Sequence, residues 1–200
     1  SHCDILLRSN NHEFHPWSDA RPEPIRYDYS LDGANREGLR DYWRGSVEQN
    51  QDYEVTWTVG IRGVHDSGFE TQAIDDDDSL DEAGKFRARV ELLEEAIHDQ
   101  RGILSDTLGV APTRTPQLFI PYKEVLPLYD AGLEVPDDVT LVWANDNFGY
   151  IRRFPSDAER QRSGGHGLYY HSSYWSNYAT SYLATSSTPL ALMRSELSKA

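Results

Sequence analysis

Val139-Thr140-Leu141-Val142-Trp143 runs directly into Ala144-Asn145-Asp146-Asn147. A short run of β-branched and large apolar residues that ends in polar turn chemistry reads as a buried strand delivering functional groups at its C-terminal end. The pattern recurs at residues 53–61 (YEVTWTVGI), 116–120 (PQLFI) and 167–171 (GLYYH), each followed by a polar loop. Between the first two lies a long helical stretch, residues 80–108, with Phe86, Val90, Leu93, Ile97, Leu104 and Leu108 on one face. Ser79 and Glu82 have the spacing of a capping box before it, and Gly109 closes it. Strands alternating with helices predict an α/β fold around a parallel sheet. Shorter helical patterns at residues 36–49 (Leu39, Tyr42, Trp43, Val47) and 188–199 (Leu190, Met193, Leu197) read as packing elements, and residues 3–7 as the tail of an earlier βα connection.

With 200 residues, 38% of them hydrophobic and 12% aromatic, the chain has enough apolar surface for one core, or for part of a larger domain. It opens on Ser1-His2 and stops within a helical pattern, so it is expected to be an excerpt of a longer protein. No apolar run approaches the ~20 residues that span a bilayer, and no leader pattern opens the chain, so no membrane partner is expected. A formal charge of −14 repels phosphate backbones and argues against nucleic acid. The lone Cys3 cannot form an internal disulfide.

In parallel α/β folds catalytic groups gather where strands end. That rule selects Arg62, His65 and Asp66 after the first strand, Tyr122, Lys123 and Glu124 after the second, Asn145, Asp146 and Asn147 after the third, and His171, Tyr174 and Trp175 after the fourth. Carboxylates converging from separate strands suit general acid and base work on a glycosidic bond, aromatic rings suit the apolar faces of a sugar, and Arg62 with Lys123 suits an anionic substituent. Other chemistries are poorly supported. His2, His12, His15, His65, Asp4, Asp66 and His171 are metal-ligand types, but no H-E-x-x-H spacing occurs and no metal is assigned. No G-x-S-x-G elbow is present. The acidic run at 75–78 lacks calcium-loop spacing and is expected to favour the N-terminus of the following helix. Gly164 and Gly165, after the basic stretch Arg152, Arg153, Arg160 and Arg162, lack the order of a phosphate loop.

The succession Ser1-His2-Cys3-Asp4, Arg8-Ser9-Asn10-Asn11-His12-Glu13-Phe14, Tyr42-Trp43-Arg44, Thr58-Val59-Gly60-Ile61-Arg62-Gly63, Tyr122-Lys123-Glu124-Val125, the stretch from Val135 to Asn147, and Gly164-Gly165-His166-Gly167-Leu168-Tyr169-Tyr170-His171 resembles family 115 of the glycoside hydrolases, the xylan α-1,2-glucuronidases. The resemblance covers nearly the whole chain in order. It implies that residues 1–200 are part of a single (β/α)8 catalytic domain, a partial TIM-type barrel with parallel strands, whose flanking domains are absent from this chain. It implies hydrolysis, with inversion and without a cofactor, of the α-1,2 bond joining (4-O-methyl)glucuronic acid to xylose. The partner is then glucuronoxylan or its oligosaccharides, the location extracellular, and a homodimer of the full-length protein is left open.

Carried over by position, Arg62 of the G-x-R-G motif binds the uronic acid carboxylate. Glu124 of Y-K-E-V is the general acid, and Asp146 or Asp66 positions water as base, the division between them staying open. Lys123, Tyr174, Asn147, His2 and Glu13 complete the substrate contacts. Inversion requires acid and base carboxyls ~6.5–9.5 Å apart. The chain departs from the family pattern at several points. Ser1-His2-Cys3-Asp4-Ile5-Leu6 stands for S-H-H-E-P-M, Phe14 for the Trp of N-E-W, Asn145 for the first Asp of D-D-N, and His65-Asp66 for Gly-Asp. Two rivals remain: a catalytically silent carbohydrate-binding module that keeps the uronic-acid pocket, and a metal-dependent hydrolase.

Overall fold

The computed structural model describes residues 10–11, 25–26, 28–62, 68–146, 148–172 and 188–199. The βα-connection tail expected at 3–7 and the candidate residues His2, Glu13, Asp66, Asn147 and Tyr174 lie outside them. A short antiparallel pair, β1 (Asn10–Asn11) and β2 (Ile25–Arg26), places Asn10 opposite Arg26. The main sheet has four parallel strands in the order β3 (Trp57–Thr58), β4 (Gln117–Phe119), β5 (Thr140–Ala144), β6 (His166–Tyr169). Its helices are α1 (Ala34–Asn50), α2 (Gln72–Asp75), α3 (Glu82–Leu108), α4 (Val125–Asp130), α5 (Asp157–Arg160) and α6 (Leu190–Leu197). Each strand pairs with its neighbour in sequence, so the described residues form a parallel α/β fragment of the kind the alternating pattern predicts.

Along β5 the burial alternates: Leu141 and Trp143 are buried, whereas Thr140, Val142 and Ala144 are half-buried. The buried set joins Trp57, Val59, Ile61 and Phe119 to Leu93, Ile97 and Leu104 of α3 and to Val125 and Leu128 of α4 in one core. Burying each such side chain contributes about 1.5–3 kcal/mol, which makes the register costly to shift, because a one-residue slip would turn every strand inside out. Leu39, Trp43 and Val47 seat α1 in the same core, and the Trp43 ring lies 5.6 Å from Tyr29.

The long helix follows its predicted stripe: Leu93, Ile97 and Leu104 are buried, and Phe86, Val90 and Leu108 pack on the core as half-buried residues. Gly109 ends it in the left-handed region at φ 66°, a conformation that favours glycine. Its start differs from expectation. Asp81, not Ser79, caps α3 by accepting from the Gly84 N–H at 2.7 Å, because the Ser79 hydroxyl is taken by Asp77 at 2.6 Å. The acidic run is likewise spent on local bonds: Asp75, the last residue of α2, pairs with Arg89 and Thr71. Strand β3 is shorter than the 53–61 pattern because Tyr53 is exposed, although the Val59 N–H still donates to the Leu118 carbonyl at 2.9 Å.

Gly164 is a close-approach glycine. A Cβ there would sit 2.5 Å from the Val139 backbone, and Thr140 Oγ1 donates to the Gly164 carbonyl at 2.8 Å. The basic stretch beside it is structural: Arg162 donates to the carbonyl of Pro136 at 2.6 Å, and Arg153 pairs with Glu159 and Asp130. Among the described residues no helix is long and apolar enough to cross a membrane, and no group of three or more His, Cys, Asp or Glu is gathered to hold a metal ion.

Candidate active site

The C-terminal ends of the parallel strands carry Arg62 beyond β3, Tyr122, Lys123 and Glu124 beyond β4, Asn145 and Asp146 beyond β5, and His171 beyond β6. The approach to Arg62 is fixed from beneath. Gly60 has φ 105°, and both its backbone groups are held by the buried Gln100 amide, N–H to Oε1 at 2.7 Å and Nε2 to C=O at 2.8 Å. A helix side chain thus supplies at the end of β3 the two hydrogen bonds that a neighbouring strand would otherwise give.

Arg62 and Glu124 meet in a bidentate pair, Nε to Oε1 at 2.8 Å and Nη2 to Oε2 at 3.0 Å. The arginine side chain is 14% exposed and the glutamate 29%, so solvent reaches the pair from the carboxylate side. Among the described residues Glu124 bonds only to Arg62. It stands at the N-terminus of α4, but its side chain makes no capping bond there. Just before it, Lys123 has φ 48°, the one non-glycine residue in the left-handed region among those described. Such strain is held only where surrounding structure imposes it, and here it lies between an aromatic ring and the carboxylate.

The Tyr122 ring is the hub. The Arg62 guanidinium and the Lys123 ammonium each lie 5.4 Å from its centroid, and the His171 ring 6.0 Å away. His171 is in turn clamped by the buried Asn145. Asn145 Nδ2 donates to the carbonyls of Asp146 and His171, both at 3.2 Å, which turns Oδ1 toward the His171 backbone N–H at 2.6 Å and ring Nδ1 at 3.1 Å. An amide oxygen only accepts, so this orientation puts the imidazole proton on Nδ1. Tyr169 meets the same ring edge-on at 4.5 Å. One contiguous cluster therefore links the ends of four strands.

Asp146 has a different role in the geometry. Its Oδ1 accepts from the N–H groups of Phe148 (2.9 Å) and Tyr150 (3.0 Å), and its Oδ2 from Arg152 Nε at 2.5 Å. Burial opposes its ionisation, yet these donors outweigh burial and hold the carboxyl below the ordinary aspartate value. Asp146 is thus ionised, as a base must be, while its bonds staple its own loop.

Of the candidates within the described residues, the structure gathers Arg62, Lys123 and Glu124 around Tyr122 and sets Asp146 in the adjoining loop. The strand-end rule selects Tyr122, Asn145 and His171 without giving them a part in the glycosidic chemistry, and Gln100 is not singled out by the sequence at all. The first three lie inside the quoted motifs, and Gln100 is the one polar residue on the apolar stripe, three residues after Ile97 and four before Leu104. A cavity of about 300 Å³ lined by Trp143, Ile151, Phe154, His166 and Leu197 lies elsewhere, and it contains none of the clustered charged groups.

The model of glycosyl hydrolase family 115 matches residues 1–200. No protein of the curated set matches the chain. Among solved structures it is similar to a family GH115 4-O-methyl-α-glucuronidase, BtGH115A, with specificity for decorated arabinogalactans. The TM-score is 0.72 and the identity 38%, over 88% of this chain and 21% of that enzyme, so the chain spans about a fifth of its relative's length. A family match along all 200 residues, on a chain whose parallel strand ends bring Arg62 and Glu124 into contact, establishes that this chain belongs to glycosyl hydrolase family 115.

Proposed function

We propose that the full-length protein is a glycosidase that removes (4-O-methyl)glucuronic acid from its α-1,2 linkage to xylose in glucuronoxylan, outside the cell and with inversion. The carrying observation is the Arg62–Glu124 pair. A planar cation fitted to a carboxylate and a glutamate suited to proton transfer stand in direct contact at the ends of adjacent parallel strands. Arg62 takes the uronate carboxylate. Glu124 protonates the leaving xylosyl oxygen, and the ionised Asp146 or Asp66 directs water at the anomeric carbon. Tyr122 and His171 supply a wall for the sugar ring, with Lys123, Tyr174, Asn147, His2 and Glu13 as further contacts. Sequential strand order with β3 and β6 at the edges supports a (β/α)8 barrel completed by the rest of the protein.

The solved relative favours a second reading of the polymer, since its specificity is for decorated arabinogalactans. The relative is a 4-O-methyl-α-glucuronidase, so either reading has the enzyme release a uronic acid, and in both the groups around Arg62 address that sugar instead of the backbone. One experiment separates the possibilities: release of free uronic acid from glucuronoxylan and from arabinogalactan by the full-length protein, wild type beside Glu124→Gln. Release from xylan that disappears in the variant supports the proposal. Release from arabinogalactan alone moves the assignment to that polymer, and binding without release by the wild type points to a silent carbohydrate-binding module.

A further inference from the structure

The Arg62 fork is engaged by Glu124 through two parallel bonds. If Arg62 is the uronate-binding residue, as the proposed function holds, the incoming carboxylate must take a place that the protein's own carboxylate occupies. We propose that substrate binding is a carboxylate exchange: the uronate displaces Glu124 from Arg62, and the displacement frees Glu124 for its role as acid.

Several features of the site fit an exchange. Glu124 has the chemistry of the substrate group it would stand in for, and the pair is open on the glutamate side. Its carboxylate is held by Arg62 alone among the described residues, with no backbone donor and no capping role to anchor it. A Cβ built on Gly68 meets the Glu124 Cγ only at 3.8 Å, ordinary contact that does not crowd the side chain. The Arg62 guanidinium is placed independently of its partner, over the Tyr122 ring and two residues beyond the Gly60 backbone that Gln100 grips. The cation is therefore the fixed half of the pair and the carboxylate the movable half.

The exchange has a chemical consequence. A carboxyl whose two oxygens are both engaged by an arginine fork cannot also reach a leaving oxygen, and moving Arg62 onto the uronate releases both oxygens of Glu124. A sugar without a carboxylate would fill the same pocket without releasing Glu124, so discrimination for uronic acids would act on the chemical step as well as on binding.

The test is equilibrium binding of D-glucuronate, with D-glucose as the neutral control, to the full-length wild type, Glu124→Gln, Glu124→Ala and Arg62→Ala, each checked for an unchanged circular dichroism spectrum. Exchange predicts glucuronate affinity about tenfold higher in both Glu124 variants, the size expected from removing a partly exposed competing pair, with glucose unchanged. It also predicts that Arg62→Ala loses glucuronate binding. Loss in Arg62→Ala without tightening in the Glu124 variants would overturn the exchange and leave the uronate assignment standing. Undiminished binding in Arg62→Ala would overturn both. A crystal structure of the wild type with glucuronate should show Arg62 on the ligand carboxylate and Glu124 turned away; the original pair intact beside bound ligand would refute the exchange.

Discussion

Two bidentate arginine–glutamate pairs lie among the described residues, and nearly equal geometry serves them differently. Arg153 grips Glu159 at 2.8 and 2.7 Å, and Arg62 grips Glu124 at 2.8 and 3.0 Å. Glu159 also accepts the Ser156 N–H at 2.6 Å and the Tyr129 hydroxyl at 2.8 Å, while Arg153 stacks 4.2 Å from the Trp143 ring and reaches Asp130. Arg153 leads the effects that, against the cost of burial, bring the Glu159 carboxyl down to about 2, and burial with the Glu159 bond pushes the Tyr129 hydroxyl up to about 12. That pair is a staple, because every oxygen is tied to the framework more than once. At the strand ends the Glu124 carboxylate has, among the described residues, only Arg62 as donor, with a strained Lys123 beside it. Distance between partners does not separate structure from function here; the number of further donors on the carboxylate does.

Substitutions can break this contrast. The largest effect is expected from Glu124→Gln in the full-length protein. Turnover should fall about 10²–10⁴-fold for loss of a general acid, with thermal unfolding shifted by less than about 1 kcal/mol. Unchanged uronic acid release would remove Glu124 from the mechanism. Glu159→Gln should do the reverse, costing about 2–3 kcal/mol of stability in denaturant unfolding while leaving turnover near wild type. Because the folded Glu159 value is depressed, its contribution is fully present above the ordinary carboxylate value of about 4.5 and is lost as pH falls toward about 2. The wild type minus variant difference in stability should therefore shrink through that window, and a difference constant with pH would contradict the staple.

Asn145→Ala tests the clamp between the two classes. It leaves the His171 backbone N–H and Nδ1 without their acceptor and should cost about 1–3 kcal/mol, with the Nδ1-protonated signature of His171 lost in nitrogen NMR. Smallest is Asp146→Asn. As a loop staple on an accessible arginine it should cost no more than about 1 kcal/mol, and what it removes should fade as pH drops through the depressed Asp146 value. A turnover loss above a hundredfold at unchanged stability would instead identify it as the base.

The chain announces some of these features and conceals others for identifiable reasons. Helix α3 is legible because its stripe spans many turns and ends at Gly109, but its cap is not, because Asp77 competes for Ser79 and leaves the capping to Asp81. Helix α4 is hidden by Pro127 in its first turn, where a missing N–H costs little. The four-residue α5 is too short for an apolar stripe, although Ser156 and Glu159 carry the capping-box spacing and form it.

Sequence by itself determined the order of the four parallel strands and of the helices at 36–49, 80–108 and 188–199, the residue types at each strand end and the motifs that carry the family resemblance. Periodicity and turn chemistry act over a few residues and are written locally. Only the tertiary structure decided that Arg62 meets Glu124 across 62 positions, that Asn145 clamps His171 across 26, and that Asp146 turns back on its own loop. The first two contacts follow from parallel register and from a core that fixes which face of each strand is buried, and no short window of sequence contains both partners; the third is local and depends on how Phe148, Tyr150 and Arg152 are turned back toward Asp146.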